Sequence, residues 1–104
     1  MPTLIASVIK PVREILADEL SPHFDDSEIE MIVKTMIRLN KLPCYTLSPD
    51  QKAIIPDIGE GSKEIRLLSL HAVKHLLLPQ PSLPNAKTKL REIEIEIYNL
   101  ENYS

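Results

Sequence analysis

Cysteine, glycine and aromatic residues are scarce in this 104-residue chain: one Cys, two Gly, one Phe, three Tyr and no Trp. A lone Cys44 rules out an internal disulfide and any Cys-x-x-Cys redox or zinc motif. With only Gly59 and Gly61, the stretch GEGSK (59–63) lacks the spacing of a phosphate loop, which needs a second glycine five residues on. So few aromatics give single-stranded nucleic acid no stacking platform. They also leave the core to Leu, Ile, Val and Met. No apolar run approaches the ~20 residues of a membrane helix, and Leu4–Ile9 has no basic leader. Neither a signal peptide nor a membrane span is expected, and the expected location is cytoplasmic.

Charge of one sign is also missing as a field. The net charge is −3. Residues 1–60 carry six Lys/Arg against ten Asp/Glu (−4), and residues 61–104 carry six against five (+1). Neither half is basic enough to form a phosphate footprint by itself. A chain of this length folds as one domain that buries roughly 60–70% of its unfolded surface.

What is present is helical periodicity. Ile5, Val8, Val12, Ile15, Leu16 and Leu20 are spaced for one helix face, with Pro11 forcing a kink near 7–10 or a start at Pro11. Asp25-x-x-Glu28 and Ser27-x-x-Glu30 are overlapping capping boxes, and Phe24 can staple onto Ile29. The stripe Ile29, Ile32, Val33, Met36, Ile37 then predicts a helix ended by Asn40, Lys41 and Pro43. Ser48-Pro49-Asp50-Gln51 suits a type I turn joining strands 44–47 and 52–55, or a short helix. Gly59 and Gly61 mark a flexible turn. Ser62 caps a helix that reaches Leu78 and stops at Pro79. Residues 79–84, PQPSLP, read as a stiff polyproline-like connector within the domain. In 86–101, Ala86, Leu90, Ile93, Ile97 and Leu100 make a helical seam. The same segment also alternates as EIEIEI, the pattern of a half-exposed strand.

The reactive groups are few. His71 and His75 in HAVKH stand one helical turn apart and share a face. A metal site needs a third ligand, and the Glu of an HExxH motif is absent because Ala72 follows His71. No cofactor or metal is therefore expected. Cys44 has no base at an informative spacing, no GxSxG is present, and Asp25-Asp26 is explained by capping. No catalytic residue is assigned.

The expected fold is mainly α: three to four helices around an aliphatic core with a small β-hairpin, or α+β if a C-terminal strand joins that hairpin. Nine of the sixteen residues 63–78 are apolar and occupy more than one side of their helix, so it is either central or covered by a partner. The expected function is a non-catalytic protein–protein interaction module, such as an adaptor, regulatory subunit or assembly factor, that forms a homodimer. Its expected interface is Leu67, Leu70, His71, Lys74 and Leu78, with Ile93, Ile97 and Leu100 as a second stripe. The competing reading is a winged-helix-like DNA-binding regulator, for which Lys34, Arg38, Asn40, Lys41, Lys63, Arg66 and Lys74 are a thin set of base-edge and phosphate-binding side chains.

Overall fold

The computed structural model describes residues 3–42, 44–58, 62–80, 82–83 and 85–102. In chain order the elements are β1 (Thr3–Leu4), a 3-10 turn (Ile5–Val8), α1 (Ile9–Leu20) and a second 3-10 turn (Ser21–His23). There follow α2 (Asp26–Arg38), β2 (Thr46–Leu47), β3 (Ala53–Ile55), α3 (Lys63–Leu77) and α4 (Ala86–Asn102). The protein is mainly α with a small β part.

Local chemistry explains most boundaries. The bend before Lys10 is a 3-10 turn that hands over to α-helix at Ile9. Pro11 then falls in the first α-helical turn, where a missing donor costs least. A sharper break lies further on, at Ala17, whose backbone has φ 60° and ψ −177°. α2 starts on the capping box: Asp25 Oδ1 accepts from the Glu28 N–H at 2.8 Å, and Glu28 Oε1 accepts from the Asp25 N–H at 3.3 Å. Phe24 and Ile29, the staple pair, are both buried. α2 ends with Asn40 at φ 60°, the Asn40 N–H bonding to the Ile37 carbonyl and the Lys41 N–H to the Met36 carbonyl. This is a Schellman closure, for which Asn is the usual substitute for Gly.

The 48–51 segment is a hairpin turn. The Gln51 N–H donates to the Ser48 carbonyl at 2.9 Å, and Ser48 Oγ accepts from the Ala53 N–H. β2 and β3 are antiparallel, with Thr46 opposite Ile55 and Leu47 opposite Ile54. β1 adds to the other edge of β3, pairing Thr3 with Ile54 and Leu4 with Ala53, so the sheet order is β1-β3-β2. Thr3 fixes that edge: its hydroxyl accepts from the Ile58 N–H at 2.7 Å and lies 2.6 Å from Asp57 Oδ1 as donor.

α3 is capped by Ser62, whose Oγ accepts from the Ile65 N–H. It packs on α1, α2 and α4. That arrangement accounts for its many-sided apolar surface, since Leu67, Leu68, Leu70, Ala72, Val73, Leu76 and Leu77 are all buried within this chain. Ser69 is buried among them with its hydroxyl donating to the Ile65 carbonyl. Segment 86–102 is a helix, so no C-terminal strand joins the hairpin. Ile93 and Ile97 form its buried seam against α3, because one helix face covers more apolar area there than alternation would.

Around the expected connector, among the described residues, the Gln80 N–H donates to the Leu77 carbonyl, Leu83 to Gln80 and Ala86 to Leu83. Pro43, Gly59, Gly61, Pro81 and Pro84, to which sequence reading gave roles, lie outside the described residues. Among the described residues no helix is long and apolar enough to cross a membrane.

Candidate functional site

The eight residues expected at an interface do not form one surface. Leu67 (9% exposed), Leu70, Ile93 and Ile97 are inside the chain, covered by its own helices. They are unavailable to a partner of the folded monomer. His71, Lys74 and Leu100 are half-buried. Leu78, just past the end of α3, is 50% exposed and is the one strongly apolar member open to solvent.

The HAVKH pair resolves into two different imidazoles. His75 Nδ1 lies 3.0 Å from the His71 carbonyl oxygen. An oxygen there only accepts, so Nδ1–H of His75 donates and His75 is held along the helix axis. Nε2 of His71 is buried with no hydrogen-bond partner among the described residues. That burial pushes the His71 pKa below its ordinary value. Glu101 pulls the other way, while Lys41, Lys74 and His75 reinforce the shift. His23 is exposed on the turn after α1, and Cys44 is exposed before β2. Among the described residues no group of three or more His, Cys, Asp or Glu is arranged to hold a metal ion.

An open trough of about 920 Å³ runs along the outer side of α1, lined among others by Lys10, Arg13, Glu14, Asp18, Asp26 and Glu30. Of its two cations, Lys10 and Arg13, the guanidinium is already committed. Arg13 bonds through Nη1 to the Ser21 carbonyl (3.0 Å) and Ser21 Oγ (2.8 Å), through Nη2 to the Phe24 carbonyl (3.2 Å), and through Nε and Nη2 to Asp26. This guanidinium therefore locks the α1–α2 turn, and the acids around it are left in excess.

The apolar surface lies elsewhere. On α4, Ile95 is 57% and Tyr98 60% exposed, one turn apart on the side away from the Ile93–Ile97 seam. Leu4 and Ile55 are exposed on the outer face of the sheet, Met31 on α2 and Leu39 just past its end. The signal for Ile95 and Tyr98 was present in the sequence: they are the two large apolar side chains of 86–102 that fall off the four-three-four-three seam. Near the hairpin, Arg38 of α2 donates to the Gln51 side chain, joining the helix to the turn tip.

No family model matches the chain, and no curated protein or solved structure matches it significantly.

Proposed function

We propose that this protein is a non-catalytic, cytoplasmic interaction module that works by protein–protein contact and self-associates. The observation that carries this reading is the pair Ile95 and Tyr98 on the outer face of α4, both more than half exposed. Aromatic and aliphatic residues placed together on a helix surface lose less water-exposed apolar area alone than they do against a partner. Tyr is also among the residues most enriched at contact surfaces. The test is affinity purification of the full chain from its own cells, with Ile95→Glu/Tyr98→Glu as control. A protein recovered with the wild type and lost with the variant is the expected outcome. Identical recoveries from both would remove the reading.

A DNA-binding regulator stands as the second reading because of the topology. A strand, two helices and a hairpin follow one another with sheet order β1-β3-β2, the connectivity of a winged-helix module. The outward side of α2 carries Ser27, Met31, Lys34, Thr35 and Arg38, and Arg38 reaches the hairpin tip. Against it stand Asp25, Asp26, Glu28 and Glu30 at the start of the same helix, where a duplex backbone would lie. A salt-dependent mobility shift on mixed-sequence duplex would favour this reading, and no shift at low salt would remove it.

A further inference from the structure

α4 carries its charges against its own dipole. Its first turn holds Lys87 and Lys89 and no acid, and its last turn holds Glu101 and no base. The amide dipoles of a helix favour the reverse order at both ends. Lys89 is answered within the chain by Glu92 at 3.7 Å. Lys87, Arg91, Glu94 and Glu101 are all exposed.

At about 100° per residue, Lys87, Arg91, Glu94, Ile95, Tyr98 and Glu101 lie on one side of α4. Read along the helix, that side is basic at Lys87 and Arg91, acidic at Glu94, apolar at Ile95 and Tyr98, and acidic again at Glu101 at its end. A parallel copy would set like charges together. An antiparallel copy reverses the order, so that each Arg91 meets Glu101 of the second chain. Ile95 and Tyr98 of the two chains then interdigitate about the two-fold axis.

We infer that α4 is the contact between two copies of this chain, packed antiparallel through the Arg91–Ile95–Tyr98–Glu101 side. The inference rests on the self-association reading above and names its surface and partner. Such a contact is isologous: the same residues serve both copies, and no surface is left to propagate. The partner helix also sets its own dipole opposite, which relieves the unfavourable charge order of both. The patch is small, so the dimer is weak and concentration-dependent.

The experiment is sedimentation equilibrium of the purified full chain from about 10 μM to about 1 mM, the range in which a contact of this kind changes state. Circular dichroism checks that each variant keeps its helices. The wild type should move from monomer toward dimer mass. Tyr98→Glu should weaken association at least tenfold. Arg91→Glu and Glu101→Arg should each be monomeric alone, because each sets like charges across the axis. Mixed in equal amounts they should associate again, since both cross-axis pairs become attractive; so should the doubly reversed chain. A monomeric wild type at the highest concentration overturns the inference. A dimer that persists in Tyr98→Glu, or reversal variants that do not re-associate on mixing, overturns it equally. If the purified chain stays monomeric but the affinity purification still recovers a different protein dependent on Ile95 and Tyr98, the interaction reading survives and only the self-pairing falls.

Discussion

Arg66 of α3 and Glu96 of α4, thirty residues apart, form a two-pronged ion pair: Nη2 donates to Oε1 at 2.8 Å and Nε donates to Oε2. The bond holds the Glu96 carboxyl below and the Arg66 guanidinium above their ordinary pKa values. Both side chains are partly open to water, so Glu96→Gln should cost only about 0.5–1 kcal/mol. A depressed carboxylate stabilises the fold above the ordinary carboxylate range and loses that contribution as pH falls through its folded value. Urea unfolding of wild type and variant should therefore differ at neutral pH and converge in acid. A constant gap at all pH values would mean that Glu96 acts by packing alone.

Arg13 is the second organising cation, and its role is geometric. Lysine keeps the charge but cannot reach Ser21, Phe24 and Asp26 together from one planar group. Arg13→Lys should lose roughly 1–2 kcal/mol by freeing the two carbonyls of the α1–α2 turn. The same loss should appear in Arg13→Ala, and the urea slope should stay unchanged in both. A Lys variant as stable as wild type would contradict the hub.

Ala17 has φ 60° and ψ −177°, a region that suits glycine and strains any residue with a Cβ. Its side chain is exposed, so removing the methyl loses little packing. Ala17→Gly should raise stability by about 1 kcal/mol, the relieved strain exceeding the added freedom of the unfolded chain. A lower midpoint in thermal unfolding would mean that the added freedom of the unfolded chain outweighs the relieved strain.

His71 connects burial to pH. With its folded pKa below the ordinary 6.5, the unfolded chain takes the proton more readily than the folded one. Stability should fall as pH drops from about 6.5 toward the folded value, and stay flat above it. His71→Leu should flatten that slope, and should add roughly 1–2 kcal/mol at neutral pH by replacing a buried nitrogen that has no hydrogen-bond partner among the described residues. Glu101 favours the protonated form, so Glu101→Gln should steepen the loss. An unchanged pH profile in His71→Leu would assign the slope to other groups.

The elements with a local cause were legible. The Asp25–Glu28 box, the Ser62 cap and the Ser48–Gln51 turn each close within a few residues, so their chemistry is written in adjacent letters. For 86–101 the sequence left helix and strand open; the segment is a helix, in which the seam Ala86, Leu90, Ile93, Ile97, Leu100 holds over more residues than the EIEIEI alternation does. Chemistry at HAVKH was only half legible. The spacing put both imidazoles on one side, but it could not show that His75 Nδ1 is spent on the His71 carbonyl.

Sequence by itself determined that this is an aliphatic, mainly helical chain with few reactive groups and with capped, amphipathic segments. Tertiary structure alone decided that Leu67 and Leu70 face inward, that β1 pairs with β3 across some fifty residues of chain, and that Arg13 and Arg66 find their partners. The reason is range. Caps, turns and helix periodicity depend on neighbours within one or two turns, whereas the apolar surplus of α3 has no meaning until three other helices lie around it. The same packing that hid Leu67 left Ile95 and Tyr98 outside, and so moved the candidate contact from α3 to the outer face of α4.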